Sequence, residues 1–219
     1  MTAVAPARRL APPAGASLPL AALAAYAVVT VVALALPSPA KGWAVLVVSF
    51  GGCAALVAVT RAAALWVLVP ASVFQLFPDW FLAGGLGTLR FPDTGGIRVD
   101  DVIPLAMCGM WALPLYAIVL VARDSVARGT LAGLVLFFGT ELLAPAAGLW
   151  EPAGDLTEVL SVAVYVLPAE AALGAGAVVA ARVATAVSRP VAERVLAGAA
   201  LSTFYTGALA LSWFLIDGR

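Results

Sequence analysis

The sequence predicts an all-α membrane protein, a bundle of seven transmembrane helices with the N-terminus cytoplasmic and the C-terminus outside. Three observations carry that reading. Hydrophobic residues make up 63% of the 219-residue chain and charged residues 11%, with a mean hydropathy of +1.06, a composition foreign to soluble globular domains. Seven apolar segments can span a membrane when judged against the ~20 residues that a bilayer core requires. Arginine and lysine then divide unevenly between alternate connections, which orients the bundle.

Residues 1–17, with several Pro and Ala, read as a disordered cytoplasmic leader. The first span is expected at residues 18–36. It follows Arg8 and Arg9 and ends near Ser38, Pro39 and Ala40, as a secretory signal would. Its apolar run exceeds the ~7 to 15 residues of a signal core, so it is expected to remain as an uncleaved helix. The other spans are expected at residues 43–59, 62–83, 102–122, 130–149, 157–181 and 195–216, so that the membrane domain covers 18–216 and residues 217–219 form a tail. With the N-terminus inside, Arg8, Arg9, Arg61, Arg123, Arg128, Arg182, Arg189 and Arg194 face the cytoplasm, against Lys41, Arg90, Arg98 and Arg219 outside. That eight-to-four asymmetry sets the orientation.

Composition also removes several functions. The formal net charge is zero, so no basic surface points to nucleic acid, and the implied partner is the lipid bilayer or a lipid-like molecule. No histidine is present, which excludes His-ligated haem, zinc and di-iron sites. The single lysine, Lys41, lies in the first loop, so the last helix cannot carry retinal as a Schiff base. Aspartate-rich signatures for magnesium diphosphate are missing, and no metal or cofactor is expected. Cys53 and Cys108 sit singly in apolar segments without ligand or redox spacing and read as packing residues.

Glu141 and Glu170 are the informative exceptions. Each sits near the middle of an apolar span, where a carboxylate costs roughly 2.5 to 3.5 kcal/mol and marks a functional site by default. The competing reading is a protonated acid hydrogen-bonded to a neighbouring helix. Counted along their helices, the two acids reach similar depth near the bilayer centre. If both face the interior they cannot both ionise, and one keeps its proton at neutral pH. A neutral acid in an apolar cavity is equipped for general acid chemistry on a hydrophobic substrate.

Helical spacing identifies further polar faces, which point inward in a membrane bundle. Ser72, Gln75 and Asp79 share a stripe on the third span, and Pro104, Cys108 and Trp111 one on the fourth. Phe137 and Phe138 precede Glu141 by a turn on the fifth, with Pro145 a turn beyond it. Ser202, Tyr205 and Ser212 align on the seventh. Helix packing explains the aromatic members as well as ligand binding does. The loops at residues 84–101 and 150–156 both face outward, and read either as ordinary solvated connections or together as the mouth of a cavity.

The stretches FPDW (77–80), RFPD (90–93), DDVIPLAMCGMW (100–111), ELLAPAAGLWEP (141–152) and YVLPAE (165–170) resemble the small bacterial integral membrane terpene cyclases of drimentine-type indole diketopiperazine terpenoids, which are distantly similar to the fungal meroterpenoid cyclases. The resemblance covers about residues 18–216. It implies cyclisation of a farnesyl-type chain on a prenylated natural product, started by protonation of an alkene or epoxide, without diphosphate loss or metal, in a bacterial cell membrane. It places no catalytic acid residue by residue, so the site rests on the physical reading. On that reading Glu141 is the general acid, Glu170 the carboxyl partner that orients it, and Asp79 a candidate for relaying protons or accepting the final one. Trp111, Phe137, Phe138, Trp150, Tyr165 and Tyr205 would shape the chain and stabilise cations through their ring faces. Asp101 and Glu151 would meet the polar head of the substrate. Two alternatives stand beside this one: a proton-coupled small-molecule transporter, although no internal repeat is evident in the residues, and a carotenoid-modifying cyclase or hydratase.

Overall fold

In the computed structural model, residues 17–185 and 190–218 are described. The expected leader (apart from Ser17) lies outside the described residues, as do Arg8, Arg9, Arg189 and Arg219 of the orientation argument. Among the described residues six helices are long and apolar enough to cross a membrane, the architecture of an all-α membrane protein: α1 (Ser17–Leu34), α2 (Ala40–Thr60), α3 (Leu65–Leu86), α5 (Val126–Ala147), α6 (Val166–Thr185) and α7 (Val191–Ile216). Between α3 and α5 lies a shorter apolar helix, α4 (Met107–Ala122).

α4 differs from the expected fourth span because residues 98–104 are not helical. Arg98–Val99 (β2) and Ile103–Pro104 (β3) pair as an antiparallel hairpin, and the helix begins only at Met107. Sixteen residues at 1.5 Å each reach about 24 Å, less than the ~30 Å of a hydrocarbon core. The expected sixth span shifts for the same reason. Glu158–Val159 (β5) pairs with Val162–Ala163 (β6), so α6 starts at Val166 rather than at residue 157. Val-rich segments suit a strand as well as a helix, which is why apolar length alone misplaced both starts.

Local chemistry explains the remaining boundaries. The Ser125 hydroxyl accepts the Arg128 backbone N–H and caps α5, which ends at Gly148 with φ 66°. α3 contains Pro70 and loosens into a π-helix over Phe81–Leu86 before Gly87 closes it at φ 67°.

Contacts sort the connections into two ends. Lys41 Nζ donates to Ala147 O at 2.9 Å, Gly42 N to Thr94 O at 2.9 Å, and Thr157 N to Asp217 Oδ1 at 2.8 Å, which gathers residues 41–42, 94, 147, 157 and 217 at one end. Leu89–Arg90 (β1) and Glu151–Pro152 (β4) pair there as well, joining the two loops at residues 84–101 and 150–156. At the opposite end the Arg182 guanidinium donates to Asp124 O.

Packing is closest where side chains vanish. A Cβ added at Gly174 would lie 2.3 Å from Gly129 O and 2.8 Å from Gly133 Cα, so α5 and α6 meet backbone to backbone. Gly198 does the same for α7 against α3, with Ala71 N at 2.7 Å from its virtual Cβ. Leu65, Leu68, Ala71, Leu115, Leu173 and Leu209 are fully enclosed, whereas Val31, Val47, Leu143, Leu211 and Leu215 are exposed on the outer faces, where lipid is the expected neighbour.

Candidate active site

The buried face of α3 carries Ser72, Gln75 and Asp79, as its spacing predicts. Ser72 Oγ donates to Cys108 O at 2.8 Å and ties α3 to α4. Neither polar atom of Gln75 has a hydrogen-bond partner, and the residue is fully buried. Asp79 Oδ2 accepts the Trp111 indole N–H at 3.2 Å. That indole is wedged between Phe137 and Tyr205, with ring centroids 5.3 Å and 5.9 Å away. Its orientation on α4 is therefore set by three other helices, α3, α5 and α7.

Glu141 projects from the same face of α5 as Phe137 and Ala144, at helical spacings of four and three. The glycine cap at Gly148 turns the chain back so that Trp150 Nε1 reaches Glu141 Oε1 at 2.9 Å. Tyr165, just before α6, donates its hydroxyl to Thr88 Oγ1 at 2.8 Å, and Thr88 Oγ1 reaches on to Leu82 O at 3.3 Å.

These groups surround one narrow, partly open cavity with about 20 Å³ of free space, room for a water molecule. Asp79, Trp111, Glu141, Trp150, Tyr165 and Tyr205 line it, six of the residues singled out in the sequence. The others stand apart. Phe137 is buried behind Trp111, and Phe138 is a partly buried core contact. Glu170 is 1% exposed and lies one turn into α6 from the lining residue Val166, with Oε2 unpartnered. It lies within electrostatic reach of Glu141, as does Asp79.

Asp101 and Glu151, expected to meet the substrate head, do not line the cavity. Asp101 is an exposed turn residue of the β2–β3 hairpin at φ 53°. Strand alternation sends Trp150 and Pro152 inward and Glu151 outward, where it forms an ion pair with Arg90 across the β1–β4 ladder. Pro104 is likewise not part of a helical stripe, because it sits in β3. Sequence reasoning missed Leu82, Thr88, Leu89, Phe91, Met107, Pro152, Ala163 and Val166 as lining residues. None carries a charge or a periodic signal, although Phe91, Met107, Pro152 and Val166 lie in the stretches that carry the resemblance.

The fold and the site define a polytopic helical membrane protein with an internal cavity walled by aromatic rings and two carboxyl groups. The chain belongs to the family described as "Domain of unknown function (DUF6989)", whose model matches residues 76–216. Every residue lining the cavity falls within that match, and α1 and α2 fall outside it. No curated protein and no solved structure matches the chain.

Proposed function

We propose that the protein is a membrane-embedded terpene cyclase that folds a farnesyl-type chain on a prenylated natural product by protonation-initiated chemistry. The observation that carries this reading is the convergence of Asp79 and Glu141, from two separate apolar helices, on one aromatic-lined cavity. Carboxyl groups there are too costly to keep without use. The space between the walls amounts to only about 20 Å³, so a farnesyl-type chain enters by parting the side chains that line it.

Glu141 delivers its proton to an alkene or epoxide of the bound chain. The faces of Trp111, Trp150, Tyr165 and Tyr205 then stabilise the migrating positive charge, at ~0.5 to 2 kcal/mol for each well-placed ring. Glu170, off the cavity wall, acts through Glu141 as a positioning residue that shares its proton. Neither step draws on a metal or cofactor.

We also place the chain across the membrane seven times, with α4 as the short span, N-terminus in and C-terminus out, in a bacterial cell membrane. The separation of connections into two ends supports the seven crossings. The eight-to-four basic asymmetry supports the orientation.

The test is incubation of protein-containing membranes with a farnesylated indole diketopiperazine in heavy water. An isomeric product carrying one solvent deuterium at the initiating carbon is expected. An unchanged substrate, or a product without deuterium, overturns the reading. A second reading, a proton-coupled transporter, gains from one observation: the order helix, strand, hairpin, helix occurs twice along the chain, and internal repeats are common in transporters. Uptake of such a solute, unaltered, into proteoliposomes bearing a proton gradient would decide for that alternative.

A further inference from the structure

With room for one water molecule, the cavity admits no larger ligand until part of its wall moves. The helices are poorly placed for that movement. α5 meets α6 backbone to backbone, where a Cβ on Gly133 would lie 2.8 Å from Glu170 O, and Gly198 of α7 does the same against Ala71 N of α3 at 2.7 Å. α4 closes on α2 in the same manner, with the Ser49 carbonyl carbon 2.8 Å from a Cβ on Gly109. Seams this tight open only by separating whole helices and the side chains packed between them.

The β1–β4 ladder is built differently. Leu89 and Pro152 face each other across it and line the cavity, and so do Thr88 and Trp150, the residues just before the two strands. Each strand is two residues long and is entered from a left-handed glycine, Gly87 at φ 67° and Gly148 at φ 66°. At such positions a few dihedrals can carry a large displacement. Little holds the ladder down besides its own pairing: the Ala153 N–H donates to Thr88 O at 3.0 Å, and Arg90 pairs with Glu151 on the outer face, where the arginine side chain is 72% exposed. An exposed ion pair of that kind contributes little stability. Just beyond β1 the chain is anchored, because the Arg98 guanidinium donates to Phe91 O at 3.1 Å and to Pro92 O at 3.3 Å, and Gly42 N donates to Thr94 O at 2.9 Å. The loosely held stretch of the first loop therefore ends before Phe91.

Two hydrogen bonds join this element to the rest of the wall. The Trp150 indole N–H is donated to Glu141 Oε1 at 2.9 Å, and the Tyr165 hydroxyl to Thr88 Oγ1 at 2.8 Å. The candidate proton donor and one of the candidate rings are thus both positioned by the ladder segments, and neither bond survives if those segments lift.

We propose that the β1–β4 ladder, residues 88–90 with 150–153, is the lid of the cavity: it lifts to admit a prenyl chain from that end of the bundle and, on closing, returns Trp150 to Glu141 and Thr88 to Tyr165, so that the acid is oriented only over an enclosed substrate. This rests on reading the cavity as the substrate site. A carbocation formed in an open cavity is exposed to capture by water, so tying the orientation of the acid to closure protects the reaction. Trp150 and Thr88 act here as positioning residues.

Arg90 and Glu151 are directly opposite in register and their side chains meet on the outer face. Opposed residues of an antiparallel pair lie ~4.5 to 5.5 Å apart at Cα, within the ~4.4 to 6.8 Å that a disulfide spans. The test is a triple variant, Arg90→Cys, Glu151→Cys and Val166→Cys, the third thiol being on the cavity wall. The first pair is oxidised, N-ethylmaleimide is added, and modification at position 166 is followed by mass spectrometry of its own peptide. The reduced form of the same variant is the control, so any change in stability from the substitutions is common to both. Labelling at position 166 should be at least tenfold slower in the oxidised form and recover on reduction. Equal rates show entry by another route and overturn the lid, as does a pair that fails to oxidise, because the ladder would then not hold those residues together. Adding Thr88→Val and Trp150→Phe removes both hydrogen bonds, while Val matches the shape of Thr and Phe keeps a ring. Labelling in the reduced form should then speed up several-fold. An unchanged rate overturns the role of those bonds in holding the lid closed. With Val166 retained, turnover of the farnesylated indole diketopiperazine should be lost on oxidation and return on reduction, and turnover that survives oxidation overturns the lid. A parent protein without turnover overturns the cyclase reading, and the labelling rates then judge the lid by themselves.

Discussion

Trp150 reaches back from the loop beyond α5 to hold Glu141 through its indole N–H at 2.9 Å. The acid is therefore fixed from the mouth side of the cavity, by a residue whose own position depends on the β1–β4 ladder. A change in that loop is felt directly by the candidate proton donor.

Replacing Trp150 with Phe keeps an aromatic face at the mouth and removes the one hydrogen bond that orients Glu141. A neutral hydrogen bond is worth ~0.5 to 1.5 kcal/mol and one to a charged group ~1.5 to 3. Turnover on a farnesylated substrate should fall by roughly tenfold, while the melting temperature of the detergent-solubilised protein moves by only a few degrees. Unchanged turnover would mean that the indole serves packing alone.

Glu141→Gln preserves size and removes the acid, so turnover should drop by ~10²- to 10⁴-fold. Glu170→Gln should cost less, because an amide can still orient its neighbour but cannot share a proton. Since Glu170 is off the cavity wall, its variant should lower kcat and leave KM close to that of the parent. A rise in KM without a fall in kcat would show that Glu170 contacts substrate after all.

Gly133 lies against α6 so closely that a methyl group would sit 2.8 Å from Glu170 O and 2.8 Å from Gly174 Cα. Both obstacles are backbone and cannot rotate away. Gly133→Ala should destabilise the bundle by ~1 to 3 kcal/mol, the usual cost of overpacking. Gly139→Ala, with nothing within 4 Å of the added methyl, is the matched control and should leave the melting temperature unchanged. Equal stability of the two variants would contradict the α5–α6 contact.

For the topology, reporter fusions after Arg123 and at the C-terminus should report opposite sides of the membrane, with Arg123 in the cytoplasm. Reporters on the same side would remove the seven-crossing arrangement.

The sequence by itself determined the class, the approximate place of most helices and the polar stripe Ser72, Gln75 and Asp79, because the cost of polar groups in hydrocarbon is written directly into hydropathy and spacing. It also brought Trp111, Trp150, Tyr165, Tyr205 and Glu141 into consideration. Only the tertiary structure decided which of these meet. Phe137 shares the face of Glu141 in sequence, yet it packs against Trp111 and does not line the cavity. Glu151 is turned outward to Arg90 by a two-residue strand whose pairing partner lies about sixty residues away. The repeated order of helix, strand, hairpin and helix was hidden for a similar reason. What is repeated is backbone shape, a capping glycine, a short strand and a left-handed turn, which Asp-Asp and Leu-Ser adopt alike once strand pairing enforces it. Hydropathy records burial, and burial is indifferent to which helix supplies the neighbour, so the lining of one cavity by both repeats is a property of the packed bundle alone.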